Sequence, residues 1–397
     1  MACTFVSRRG HQFFADGGRP FYVHGFNAYF LMAISADLSS RSKVVALLDD
    51  AAVSGFNVAR TWAFNDGGYQ ALQTSPGVYD EHVFQALDFV LNQARLSGLR
   101  LILTLVNNWD DYGGKAKYVE WAKAAGSALS SKDDFFTSRI VKEYYKNHVK
   151  AMLNRVNSIT GVQYKDDPTI FAWELINEPR CPNDPSGDTL QAWIEEMASY
   201  LKSIDRNHML GLGSEGFYGP SYPTRIMENP DEYALLLGTD FLRNHNVECI
   251  DFAGAHGYPD SWFGSDASVV QKTVFVENWL AAHIADCTSL LKKPFLFGEF
   301  GLSSKTAGFK QEHRASFFSS IYTVLYILAL PKGAAAGGFV WQLFAKGMEN
   351  FNDGYQIVLS EDKTVSEIIK QHSERLASLT NEESKGPICP AIRFKCW

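Results

Sequence analysis

Two carboxylates in this chain close apolar runs. Glu178 ends "TIFAWELINEP", with Asn177 before it and Pro179 after it, and Glu299 sits near the end of "KKPFLFGEFG". An acid at the end of a buried β-forming run is carried to an edge of the fold, and a proline stops the strand at once. Two carboxyl groups facing one ligand, one protonated and one ionised, are the chemistry of glycoside hydrolysis. The acid releases the leaving alkoxide, and the carboxylate attacks or stabilises the sugar cation. A separation of about 5 to 5.5 Å makes the second group a nucleophile and retains the anomer; a wider gap admits water and inverts it. Glu174 is a different matter. Four residues before Glu178 on the same side of an extended chain, it lies about 13 Å away at about 3.3 Å per residue. It reads as a structural carboxylate among interior polar groups. Gly298 and Gly301, flanking Glu299, read as room for a ligand.

Such a pair needs a scaffold that brings distant strand ends together. Short apolar runs alternate with stretches of helical period, the pattern of βα units on a parallel sheet. Eight strands are predicted: "FYVHGFNA" from Phe21, "FNVARTWA" from Phe56, "LRLILTLVNN" from Leu99, "TIFAWELIN" from Thr169, "HMLGLGS" from His208, "IDFAGAHGY" from Ile250, "PFLFGEFG" from Pro294 and "GGFVWQLF" from Gly337. The fold class expected is α/β, a (β/α)₈ barrel with long loops at the C-terminal face of its strands. Those loops are 107–137, 216–247 and 257–269. Glu178 and Glu299 then end strands four and seven, which face each other across the barrel mouth. One domain spanning residues 1–397 is expected, with a short N-terminal extension, a closing helix near Val365 to Leu379 and a Cys-containing tail.

Composition narrows the ligand. The formal charge of −7 comes with scattered Lys and Arg, which argues against nucleic acid or an anionic membrane as partner. Nine Trp and 17 Tyr are present, several in polar, Gly-rich loops such as "NNWDDYGG", as a neutral ligand would require. No stretch approaches a membrane span, and "MACTFVSRRG" lacks the apolar core of a signal peptide. Six cysteines form no CxxC pair and no Cys/His cluster, so neither metal nor cofactor is expected. Cys249 with Cys287 and Cys389 with Cys396 are candidate bridges. "GLGSEG" from Gly211 matches G-x-G-x-x-G, but the prolines and glycines of the following "FYGPSYP" forbid the helix that would hold a pyrophosphate.

The series "NVARTWAF", "WELINEP", "HGYP", "FGEFG" and "FVWQ", in this order and at these strand ends, resembles the family five glycoside hydrolases of the retaining (β/α)₈ clan. "GFNAYFLM", "VNNWDDYGGKAKYVEWA" and "EGFYG" look like the plant endo-β-1,4-mannanases within it. The resemblance implies that Glu178 is the general acid/base and Glu299 the nucleophile. It implies that Asn177 bonds the sugar 2-hydroxyl, which mannose carries axially, and that Arg60 and Tyr258 hold the nucleophile, the Arg60 charge keeping Glu299 ionised. His256 is then near the acid or the substrate, Trp341 is the floor under the scissile sugar, and Trp62, Trp109, Tyr112 and Trp121 line the subsites. A monomer acting on a mannan-type polysaccharide is expected, secreted to the cell wall, with the present start replacing a signal. The alternatives are a β-1,4-glucanase of the same family and a catalytically silent carbohydrate-binding barrel.

Overall fold

A computed structural model describes residues 4–384, apart from residues 16, 265 and 331. Eight parallel strands form one curved sheet: β1 (Val23–Asn27), β2 (Val58–Trp62), β3 (Arg100–Thr104), β4 (Ile170–Glu174), β5 (Met209–Gly211), β6 (Ala253–Gly257), β7 (Phe295–Phe300) and β8 (Ala335–Val340). Their spatial order is β5-β4-β3-β2-β1-β8-β7-β6. The seam between β5 and β6 is joined outside the ladder, by Asp251 N–H to the Leu210 carbonyl at 2.7 Å and His256 N–H to the Glu215 carbonyl at 3.0 Å. This is the (β/α)₈ barrel that the alternation predicted, and all eight strands fall within the predicted runs or overlap them.

Strands covered on both faces read as near-continuous apolar runs, and every residue of β1, β2, β3, β4, β7 and β8 is buried. The covering helices carry the 3.6-residue period. Helix α1 (Glu81–Leu96) turns Val83, Leu87, Val90, Leu91 and Ala94 inward. The Asp80 side chain caps its start by accepting from the His82 N–H, a contact that contributes about 1 kcal/mol. The closing helix α2 (Lys363–Ser384) is longer than predicted and buries Val365, Ile369, Leu376 and Leu379. At the bottom of the barrel, Phe13 from a small antiparallel sheet (Ser7–Arg9, Gln12–Ala15, Arg19–Pro20) packs edge-on to Phe171 and Phe252 at 5.1 and 6.0 Å. The interior is therefore filled below, and its polar side chains gather at the other end.

The predicted long loops are partly helical. "GKAKYVEWAKA" is a helix, Gly114–Ala124, as its run of good helix formers dictates. The 216–247 segment holds short turns at Pro223–Glu228 and Glu232–Leu236 and a helix at Phe241–His245. Cys249 and Cys287 are both free, which corrects the expected bridge. Cys287 is buried in the main core, whereas Cys249 is half-exposed with its sulfur 3.9 Å from Ser199 Oγ, so each thiol is held by other neighbours. Cys389 and Cys396 lie outside the described residues.

Candidate active site

β4 ends at Glu174, but the chain beyond it stays hydrogen-bonded, Leu175 and Ile176 N–H to the Gly211 and Leu212 carbonyls and Asn177 N–H to Val106. The extended run breaks at Glu178, whose φ of 50° is left-handed and whose N–H bonds the Gly213 carbonyl at 2.7 Å. Gly213 is required here: its φ is +87°, and a Cβ would stand 2.3 Å from the Ile176 carbonyl oxygen. "GLGSEG" thus serves as the close-packed neighbour of the turn that aims Glu178.

Arg60, buried on the inner face of β2, organises the base of the site. Its Nε donates to Glu174 at 2.7 Å, its Nη1 to Glu299 at 2.6 Å and to Asn27 at 3.1 Å, and its Nη2 to Asn177 at 2.8 Å. Thr104 donates a second bond to Glu174 at 2.8 Å. Glu174 is therefore the wall carboxylate predicted, and Arg60 serves it and Glu299 together. Tyr258 donates its hydroxyl to the other oxygen of Glu299. Asn177 passes one amide hydrogen to Asn107 at 3.1 Å and faces the cleft with the rest of its amide.

The two candidate carboxylates converge on His256. Its Nδ1 is 2.7 Å from Glu178 and 3.6 Å from Glu299, and an oxygen of each carboxylate lies with Nδ1 in a triangle no wider than 4.8 Å. Trp109 Nε1 donates to the second oxygen of Glu178 at 2.6 Å. Glu178, His256 and Glu299 are the group of metal-ligand type among the described residues. The hydrogen bonds among them and from Trp109 and Tyr258 already engage the atoms an ion would take.

These groups open on a cleft of about 540 Å³ that Trp62, Trp109, Asn177, Glu178, His256, Tyr258, Glu299 and Trp341 help to line. Trp341 is held by Asp353 at 2.8 Å and stacks on Tyr29 at 5.7 Å, and Tyr29 also packs on Trp62 at 4.6 Å. Tyr112 packs edge-on to Trp62 and Trp121 to Tyr118, each at 5.3 Å. The flanking glycines make room for protein and not for ligand. A Cβ on Gly298 would sit 3.1 Å from His256 Nε2, and one on Gly301 would meet Tyr355 at 2.7 Å and the Trp341 carbonyl at 2.8 Å.

Sequence reasoning missed a second pair beside Glu178. Arg180 bonds Glu215 through Nε at 2.7 Å and Nη2 at 2.5 Å, and its guanidinium lies over the Trp109 ring at 4.8 Å. Glu215 lies just past the end of β5 as Glu178 lies past β4, so the strand-end rule that found Glu178 applied to it equally.

Burial drives the Glu299 carboxyl above its ordinary range, and the His256 and Arg60 charges offset this only in part. Arg60 acts on Glu299 in the expected direction, favouring the charged form, while burial and the nearby Glu178 charge act against it. Burial also works against Glu178, but hydrogen bonds and charge from His256, with Trp109 and Arg180, outweigh it and hold Glu178 low. For His256, burial opposes the cation while Glu299 and Glu178 favour it, and the net direction is upward from 6.5. Burial and the Glu178 charge push Glu215 up to about 7 against its bond to Arg180.

The chain is similar to known proteins. The chain matches the family described as GH family 5 beta-mannosidase-like over residues 3–381. It belongs to family 5 of the glycoside hydrolases. Relatives in this family include mannan endo-1,4-beta-mannosidase 7 of Arabidopsis thaliana, 50% identical over 94% of this chain and 85% of its own length. Mannan endo-1,4-beta-mannosidase 8 of Oryza sativa subsp. japonica is 51% identical over 92% of this chain and 98% of its own. Among solved structures, the endo-1,4-beta-mannanase of Rhizomucor miehei superposes with a TM-score of 0.78 at 33% identity, covering 94% of this chain and 100% of that one.

Proposed function

We propose that this family 5 protein hydrolyses β-1,4-mannosidic linkages within mannan, galactomannan and glucomannan by retaining double displacement. The observation that carries the mechanism is the approach of Glu178 and Glu299. Their oxygens come within 4.8 Å about His256, close to the retaining spacing of about 5 to 5.5 Å and short of the inverting range of about 6.5 to 9.5 Å. The substrate class rests on the endo-mannosidase relatives and on Asn177, whose amide faces the cleft beside the reacting carboxylates.

In this reading Glu299, aligned by Arg60 and Tyr258, attacks C1 while Glu178 protonates the departing oxygen, and Glu178 then deprotonates the water that releases the sugar. Trp341 is the floor under the sugar being cut. In this reading the working proton is shared by the His256–Glu178 pair, whose Nδ1-to-carboxylate distance is 2.7 Å. Substrate arrival moves that proton along the hydrogen bond to Glu178, leaving a neutral imidazole and an acid ready to donate. One catalytic domain, acting as a monomer outside the cell on the wall polymer, completes the reading. No helix among the described residues is long and apolar enough to cross a membrane, and every side chain assigned here comes from the one barrel.

Initial-rate assays on galactomannan, glucomannan, xylan and carboxymethylcellulose, with the product anomer followed by NMR, test this. The expected result is cleavage of the mannans with β-anomer released first. Activity confined to carboxymethylcellulose makes it a glucanase, and mannan binding without new reducing ends makes it a silent binding barrel.

The proton inventory gives a pH prediction. A histidine whose pKa is raised keeps its proton below its ordinary 6.5 and loses it only as pH climbs through the higher folded value. The alkaline limb of kcat/KM is therefore expected above pH 6.5 and belongs to the pair. His256→Asn is expected to move that limb to lower pH and to cut kcat by about 10- to 100-fold. An unmoved limb would show that the proton is held elsewhere.

A further inference from the structure

The proposed reaction divides the cleft. Tyr258, Trp341 and Tyr355 gather about Glu299, with Tyr258 6.3 Å from Trp341 and 5.3 Å from Tyr355, ring to ring. Trp109, Arg180 and Glu215 gather about Glu178. A general acid protonates the oxygen of the departing sugar, so the Glu178 side receives the leaving portion of the chain. The most exposed aromatic residue of the cleft has no role yet. Tyr233 lines the same cleft and is 58% exposed.

Its surroundings hold the turn that carries that ring. Tyr233 lies on the single turn Glu232–Leu236, and the chain is pinned on both sides of it. Before it, Asn229 exchanges two hydrogen bonds with the Tyr218 backbone, both at 2.9 Å. After it, the Leu237 carbonyl accepts from the Cys181 N–H at 2.8 Å. Gly238 packs so tightly on the same turn that a Cβ would stand 2.4 Å from the Cys181 carbonyl oxygen. Ala234 and Leu237 are buried behind the turn. The loop carrying Tyr233 is thus clamped to the segment that follows Glu178, and Cys181 is part of the clamp. An exposed ring with a polar tip, carried on a pinned turn, suits a sugar, which offers an apolar face ringed by hydroxyls.

We propose that Tyr233 is the outer stacking platform for sugars on the leaving side of the cut, and that it sets how well the protein holds long substrates and acceptor sugars. This rests on the mannan-hydrolysing reading. In transfer, an acceptor hydroxyl attacks C1, the bond from C1 to Glu299 breaks, and the acceptor's proton passes to Glu178. An acceptor stacked on Tyr233 competes with water for that step.

The test compares Tyr233→Ala and Tyr233→Trp with the wild type on mannohexaose and on a nitrophenyl mannobioside, which carries no sugar on the leaving side. For Tyr233→Ala, the KM for mannohexaose is expected to rise about three- to tenfold, the worth of an aromatic contact of this kind, with a smaller change in kcat. The share of transfer products should fall with it. Tyr233→Trp should restore both. Equal losses on the two substrates would mean that Tyr233 only supports the fold, and unchanged mannohexaose kinetics would remove it from substrate binding; either result overturns the proposal. Wild-type protein that leaves mannohexaose uncut overturns the mannanase reading and this inference together, whereas an active wild type matched by Tyr233→Ala overturns the inference alone.

Discussion

Glu299→Ala is expected to abolish turnover of mannan, with kcat falling on the order of 10⁴- to 10⁶-fold, the scale seen when a covalent nucleophile is removed. The carboxylate has no stand-in. Glu174 shares Arg60 with it but is buried in the wall beneath and bonded to Thr104, and Glu178 is committed to His256 and Trp109. Nor should the loss be one of folding. Burial raises the Glu299 carboxyl out of its ordinary range, so its charge is held in the barrel at some cost, and Arg60 retains Glu174 at 2.7 Å once Glu299 is gone. A thermal melt close to wild type is the check. Azide in the vacated space should attack C1 from the same side and yield the α-mannosyl azide, an inverted product, by NMR. Activity within tenfold of wild type would remove Glu299 from the nucleophile role.

The carboxylate pair was legible in the sequence because barrel topology carries information that no local window holds. Once β4 and β7 are counted, the acids at their ends must face each other. The turn at Glu178 was not legible. A strict period of two puts Glu178 on the same side as Glu174 as though β4 ran on, whereas the chain bends at φ 50° against Gly213 of the neighbouring strand's loop. That conformation depends on a contact between segments far apart in sequence. The same holds for the Arg180–Glu215 pair, whose members lie 35 residues apart and meet only because β4 and β5 are adjacent. Gly298 and Gly301 teach the converse. Their smallness was visible, but what fills the space is His256, Tyr355 and Trp341, residues that only the folded barrel brings to them. Charge order was the least legible property, since Arg60 was in view but the depth at which Glu299 is buried was not.

Glu178→Ala is expected to separate substrates by their leaving groups. On mannan, where the departing sugar alkoxide needs a proton, kcat should fall by about 10²- to 10⁴-fold. On a dinitrophenyl mannobioside the leaving group departs unprotonated, so the first step should survive, the second step lacks its base, and a burst of phenol should precede slow turnover. The alkaline limb assigned to the His256–Glu178 pair should vanish from that burst phase, because no proton from the pair is used. Removing the side chain also leaves His256 Nδ1 and the Trp109 indole N–H without the partners they have at 2.7 and 2.6 Å. Glu178→Gln, which keeps an acceptor at that position but cannot give up a proton as an acid, separates the two effects. It should match Glu178→Ala on mannan. If the glutamine variant recovers mannan activity, or if both variants lose mannan and dinitrophenyl substrates equally, Glu178 holds its neighbours in place and the working acid is another group.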